Sequence, residues 1–283
     1  MRSQSLRLFI SLLFCTSCSQ YFYHPSKEIF PLPLGTEWPS YRDILFKAKD
    51  GVRLHGRLFL SRRKKAKGII LQFHGNAQNL TAHSLALTWV VRHGFHLLAF
   101  DYRGYGRSQS FPNPEGIRLD GLAFLQKARE IHLDLAPQGK FIVIGQSLGG
   151  AVALRAVQDF AEKDEIDLVV LDSAFASYQG IAFKKLSSHW MTWVISPLAY
   201  ILVSDKTAAD LNRFHHPILV IHSENDPVVP FECSQEIYRQ VMSTNKTFWR
   251  NKEVGHILAF SSRDRQKRLM KFFSEALGEN SKK

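Results

Sequence analysis

The sequence predicts an α/β domain built on a mostly parallel sheet with helices on both faces, and three observations predict it. Short runs that are almost wholly apolar recur along the chain: "GIILQFHG" (Gly68–Gly75), "HLLAFDYRG" (His96–Gly104), "KFIVIGQS" (Lys140–Ser147), "DLVVLDS" (Asp167–Ser173) and "HPILVIHSEND" (His216–Asp226). Runs without a polar face suit strands covered on both sides, as in a parallel sheet. Helix-like segments separate them, including "NLTAHSLALTWVVRHG", "PEGIRLDGLAFLQKAREIH" and "GGAVALRAVQDFAEK", so strand and helix alternate. Ahead of these, "YRDILFKAKDGVRLHGRLFLS" offers two alternating segments around Asp50-Gly51, a strong hairpin signal. The chain has 283 residues, enough for one large domain with a substantial core. No period of roughly 20–50 residues repeats, which argues against a solenoid or propeller.

At the N-terminus, residues 1–17 read as a signal peptide. Arg2 and Arg7 accompany an apolar stretch from Leu8 to Phe14, too short to span a bilayer but suited to an h-region. Thr16 and Ser17 are small, and Cys18 follows them. This resembles the lipobox of bacterial lipoproteins, with Cys15 departing from the usual leucine. The resemblance implies lipidation of Cys18 as the first mature residue and an exported, membrane-anchored protein of the cell envelope. An ordinary signal peptide with a periplasmic or secreted product, or an uncleaved anchor, is the alternative. Of the 3 cysteines, Cys233 alone would then remain free, so no internal disulfide is expected and its thiol reads as buried and inert.

Residues 18–40 read as an extended leader, with "YFYHPSKEIFPLPLGTEWPS" rich in proline and aromatics, and the folded domain as 41–283. The formal net charge is +12, and its densest cluster, "SRRKKAKG" (Ser61–Gly68), reads as a solvated loop between two strands. A basic surface favours anionic membrane or acidic substrates. No zinc-ligand spacing, helix-turn-helix pattern or RNA-binding signature supports a nucleic-acid partner. The alternation of strand and helix breaks over about residues 176–212, which contain "HWMTWVISPLAYILV" (His189–Val203) with Pro197 inside it. This stretch reads as a cap over a substrate pocket, inserted at the carboxyl end of a strand, or else as a core helix pair. It is too short for a membrane span. As a cap, it would offer Trp190 and Trp193 to an apolar substrate.

The chemistry centres on "FIVIGQSLGG" (Phe141–Gly150). "FIVI" reads as a strand and "LGGAVALRAV" as a helix, so Gly145-Gln146-Ser147-Leu148-Gly149 falls at a strand-to-helix turn, the context a G-x-S-x-G nucleophile elbow requires. Side chains at Gly145 or Gly149 would collide with the neighbouring strand and helix, and the helix behind Ser147 aims N–H groups at a developing oxyanion. A serine hydroxyl needs a base, and the base an orienting acid; on this kind of elbow they follow in the order Ser, acid, His. His256, in "NKEVGHILAF", is the histidine placed to be the base, since His222 falls inside an apolar strand. Asp226, in "SENDPVVP" just past a strand, is the acid, with Glu224 a close rival and Asp172 a weaker one. Backbone N–H groups of Leu148 and of Asn76 in "LQFHGNAQN" would form the oxyanion hole, with Ala77 the alternative to Asn76. His74 reads as a brace, and the arginines of "DYRGYGRS" (Asp101–Ser108) as fixing their loop rather than binding phosphate.

Together, "HGNAQN", "DYRGYGRS", "GQSLGGAVA", "ENDPVVP" and "VGH" resemble the α/β-hydrolase superfamily, in its order and over roughly Tyr41 to Leu277. They look most like its branch of serine esterases, lipid hydrolases and protein depalmitoylases. The resemblance implies two-step acyl transfer on an ester or thioester, with Ser147 as nucleophile, His256 as base and Asp226 as its partner, and with no metal or organic cofactor. A small-molecule ester or lipid is the expected substrate. A serine aminopeptidase of the same fold and a non-catalytic, hydrolase-like binding lipoprotein are the other readings. The absence of a carboxylate from Ser187 to Val203 speaks against the first and the intact Ser, Asp and His against the second.

Overall fold

Successive residues of the central strands pack into two different cores, which is why these runs carry no polar period. The computed structural model describes residues 23–31, 39–188, 190 and 192–278. Residues 1–22, with Cys15 and Cys18, and 32–38 of the leader lie outside the described residues. One sheet holds eight strands: β1 (Tyr41–Lys47), β2 (Arg53–Phe59), β3 (Gly68–Phe73), β4 (Phe95–Asp101), β5 (Lys140–Gln146), β6 (Leu168–Asp172), β7 (Ile218–Asn225) and β8 (Lys246–Val254). The longer helices are α1 (Pro114–Leu135), α2 (Leu148–Asp159), α3 (Tyr178–Ser187), α4 (Phe231–Gln240) and α5 (Arg263–Ala276).

Across the sheet the order is β8-β7-β6-β5-β3-β4-β2-β1. The predicted hairpin is β1–β2, antiparallel about Asp50-Gly51; β2 and β4 are also antiparallel, and every other neighbour is parallel. On β5, Phe141 and Val143 face the core shared with α1 and α2, while Ile142 and Ile144 face Leu269 and Phe273 of α5. Each such fully buried side chain contributes ~1.5–3 kcal/mol relative to exposure. Phe73 of β3 stands opposite Gly145 of β5, and Gln146 opposite Asp172 of β6. The turns after these three strands therefore emerge together at the carboxyl edge, where an open α/β sheet places its ligand site.

Two predicted segments differ in the structure. "NLTAHSLALTWVVRHG" is not one helix but a single α-turn, Leu80–His83, followed by 3-10 turns at Ser84–Ala86 and Thr88–His93. Gln72 Nε2 donates to the His83 carbonyl at 3.0 Å, and Thr88, Val90 and Val91 are β-branched and poor helix formers. The leader is more than a surface layer. Tyr23 is buried beside Tyr178, and residues 24–25 form a short parallel pairing with residues 77–78.

Between β6 and β7, α3 is followed by a 3-10 turn at Trp193–Leu198, a short helix at Ala199–Leu202 and another turn at Leu211–Arg213. The Asp205 carboxylate accepts from the N–H of Gln179 at 2.9 Å, and Gln179 Nε2 donates to the Val203 carbonyl at 2.8 Å, folding the insertion back on α3. Its outer face is exposed, unlike a core helix pair. No helix among the described residues is long and apolar enough to cross a membrane. Cys233 is buried, and that burial pushes its thiol up, as expected of an inert cysteine.

The arginines of "DYRGYGRS" do fix their loop. Arg103 is buried with Nη1 2.8 Å from Asp50 Oδ2 and Nη2 2.8 Å from Asp120 Oδ1, and Arg107 pairs with Asp43. The hairpin turn, the loop after β4 and α1 are thus joined through one guanidinium. Removing one partner strands a buried carboxylate, so Arg103→Ala is expected to cost about 3–5 kcal/mol. Urea unfolding would read this, and a loss below about 1 kcal/mol would contradict it.

Candidate active site

At the end of β5 the chain turns sharply into α2. Ser147 holds φ 54° and ψ −120°, a strained backbone for a residue with a side chain. Its N–H donates to the Asp172 carbonyl at 3.0 Å, and its own carbonyl accepts from Gly150 N–H at 2.9 Å. The flanking glycines follow from contact distances. A Cβ on Gly149 would lie 2.1 Å from the Phe73 carbonyl oxygen, and one on Gly145 2.7 Å from Gly150 Cα. The turn closes against β3 and its own helix only without side chains there, as the sequence predicts.

Asp226 and His256 meet across the loops after β7 and β8. Asp226 Oδ2 lies 2.8 Å from His256 Nδ1, while Oδ1 accepts the N–H groups of Val228 at 2.8 Å and Val229 at 2.9 Å. Burial pushes the Asp226 carboxyl up, but hydrogen bonds from His222, His256, Val229 and Val228 outweigh it and hold the group well below the usual carboxylate range. An ionised carboxylate only accepts, so His256 Nδ1 is the donor of this bond. Glu224 instead pairs with the exposed Arg250, and Asp172 is fully buried against Gln146, its carboxyl pushed up to about 6 by burial. His222 is buried, bonded to Ser234 and 3.4 Å from Asp226. Of the three acids considered, Asp226 alone contacts His256 directly.

Asn76 lies on the turn after β3, its Oδ1 accepting from His24 N–H at 3.0 Å and from the Tyr105 hydroxyl at 2.8 Å. Asn79 in the same turn donates Nδ2 to the Ser26 carbonyl at 3.1 Å and accepts from Thr81 N–H at 3.0 Å. Gly106 N–H also donates to the Ser26 carbonyl, and Phe30 N–H to Thr81 Oγ1. Residues 23–31 thus strap the turn down from outside. His74 is buried and stacked on His83, and burial with that neighbour lowers it to about 4, so it stays neutral as a brace.

Ser147, Leu148 and Asn76 open into one cavity of about 290 Å³. Its walls are Phe175, Tyr178, Ile181 and Ala182, with His24 from the strap, Val228 and Val229 from the Asp226 loop, and Lys185. Among the described residues lining it, none is acidic. Trp190 and Trp193 are not among them; they are 79% and 60% exposed on the outer face of the insertion. The broken, 3-10 course of residues 193–198 turns these rings outward instead of through α3, which supplies the wall itself.

Two features carry no local sequence signal. Asp172 moors both halves of the site: its carbonyl takes Ser147 N–H, while its carboxylate takes Ala259 N–H, at 3.4 Å, from the loop bearing His256. Ile257 N–H also donates to Ser173 Oγ at 3.1 Å. Second, of the five non-glycine residues with positive φ among the described residues, Gln78, Ser147, Ser173 and Ile257 surround the site. Strain gathers where the surrounding contacts over-determine it, as functional sites commonly show.

A family model described as serine aminopeptidase, S33, matches residues 64–206, which include Asn76 and Ser147 but end before Asp226 and His256. The uncharacterized protein YfhR of Escherichia coli (strain K12) is 32% identical over 250 residues, covering 86% of this chain and 81% of its own. Lysophosphatidylserine lipase ABHD12 of Mus musculus is 29% identical over 182 residues, which are 60% of this chain and only 44% of that protein. Among solved structures, an esterase of Pyrococcus furiosus superposes with TM-score 0.68 at 20% identity, covering 90% of this chain and 97% of its own, a likeness of fold. The chain belongs to the serine aminopeptidase S33 family of α/β hydrolases.

Proposed function

We propose that the protein is a serine hydrolase cleaving carboxylic esters or thioesters of an apolar acyl group. Ser147 is the nucleophile, His256 the general base and Asp226 its orienting acid. In the first step, the Ser147 hydroxyl passes its proton to His256 Nε2 as Oγ bonds the acyl carbon. The N–H groups of Leu148 and Asn76 hold the oxyanion. Collapse expels the alcohol or thiol, which takes the proton from His256. Water, deprotonated by the same imidazole, then releases the acid and restores Ser147.

One observation carries this reading: the ionised Asp226, bonded to His256, shares a sheet edge with a strained serine that opens into a largely apolar cavity. The lining supports an acyl group over an amino acid. A free α-amine would need an acidic partner, and the charged side chain present is Lys185. The similarity to a lysophosphatidylserine lipase points the same way.

A panel of p-nitrophenyl esters of increasing chain length, monoacylglycerols, lysophospholipids and aminoacyl arylamides tests the substrate class. The expected result is kcat/KM rising from acetyl to medium acyl chains, with arylamides turned over hardly at all. Fast acetyl hydrolysis that disappears on longer chains would refute the acyl reading, and preference for arylamides would replace it with aminopeptidase activity.

A further inference from the structure

The insertion between β6 and β7 leaves its apolar side chains facing water. Trp190, Trp193, Val194, Leu198, Tyr200 and Ile201 are all exposed, Trp190 and Ile201 by more than three quarters. They fall within 12 consecutive positions, 190–201, so they form a patch rather than the scattered surface residues any protein carries. The segment folds back on α3 through Gln179, whose side chain donates to the carbonyls of Tyr200 and Val203. α3 in turn lines the cavity with Ile181, Ala182 and Lys185. The patch is therefore the outer surface of the same element whose inner surface walls the site.

Three further observations say what covers it. Residues 183–204 contain no acidic side chain; on the adjoining α3, Lys184 pairs with Glu236 at 3.2 Å and the exposed Lys185 stands at the cavity, and the whole chain carries a formal net charge of +12. An exposed run of apolar and aromatic side chains without carboxylates, on a chain of strong net positive charge, matches the interface of an anionic bilayer, where rings settle at headgroup depth. Residues 1–22, with the apolar run from Leu8 to Phe14, join the described chain at Tyr23, buried beside Tyr178 at the start of α3. His24 then shares the cavity with α3. The described chain thus begins at the cavity, against the same helix that carries the insertion. Finally Val228, which lines the cavity from the Asp226 loop, is itself 41% exposed, an apolar side chain open to solvent at the site.

We propose that the outer face of the insertion, residues 190–201, docks into an anionic lipid surface and turns the cavity mouth toward the bilayer. An acyl substrate would then pass from membrane to Ser147 without crossing water. The direction of delivery rests on the function proposed above; the docking does not, and can be read without turnover.

The test uses the full chain with vesicles of phosphatidylcholine and phosphatidylglycerol whose acyl chains carry bromine near the headgroup end. Bromine quenches tryptophan only at close range, so a protein held solely by its N-terminus, with the insertion in water, would float with vesicles yet keep the emission of Trp190 and Trp193. The expected result is strong quenching that is lost for the most part in the W190F/W193F double variant and falls on omission of phosphatidylglycerol. A second variant, I201D, should reduce quenching with both tryptophans in place, and circular dichroism would verify its fold. Flotation with no quenching, equal quenching in the double variant, or failure to float would each overturn the docking. Quenching by a protein that hydrolyses no acyl substrate would overturn the function proposal instead and leave the docking standing.

Discussion

Ser147→Ala is expected to lower turnover of any ester substrate by about 10⁴-fold or more, with the fold intact. The argument is geometric. Ser147 is held by backbone, its N–H on the Asp172 carbonyl and its carbonyl on Gly150 N–H, so the turn does not depend on its hydroxyl. Alanine meets the same strained φ as serine, so the elbow is retained and only Oγ is lost. The thermal midpoint should barely move, and a fluorophosphonate probe that labels the natural protein should not label the variant. A variant keeping more than about one hundredth of the activity would show that another nucleophile acts, because bound water and the oxyanion donors alone supply far less.

Asp226→Asn is expected to reduce kcat by about 10³–10⁴-fold while leaving KM nearly unchanged. The amide can still accept from Val228 and Val229 N–H through its oxygen, which then turns its NH₂ toward His256 Nδ1. A donor facing Nδ1 moves the imidazole proton to Nε2, where it removes the lone pair that takes the Ser147 proton. Stability changes too, and its direction follows from the depressed carboxyl. Ionised Asp226 stabilises the fold at pH above its unfolded value of about 3.9, and that contribution is lost as pH falls toward the lower folded value. The natural protein should therefore exceed the Asn variant in urea stability at pH 7, and the gap should narrow below about pH 4. A gap of the same size at both pH values would mean that packing, not charge, sets Asp226's contribution.

Much of this was legible in the sequence because it is local. Apolar runs without a period announced strands covered on both faces, and Gly145 and Gly149 announced a turn with no room for side chains. Asp226 could be favoured over Glu224 only by position, since both sit at the end of β7; what separates them is that Glu224 faces Arg250 while Asp226 turns inward to His256. What stayed hidden depends on contacts between distant segments. Nothing near Asp172 in sequence signals that it holds the loops of both Ser147 and His256. The rings of Trp190 and Trp193 looked like pocket lining because their composition is right, yet which way a short 3-10 segment turns is decided by its packing on α3. The expected helix at residues 80–93 broke because Gln72, on a different strand, takes the His83 carbonyl.

The strap at residues 23–31 has a consequence for where the protein can be cut. By its sheet, the domain starts at Tyr41, and a truncation there removes no strand of the main sheet. It would nonetheless take away His24 from the cavity wall, its N–H donor to Asn76 Oδ1, and the Ser26 and Glu28 carbonyls that accept from Asn79 Nδ2. The first strand of the sheet and the first residue that supports the site are therefore not the same boundary. In any shortened or fused version of this chain, the useful boundary lies ahead of Tyr23.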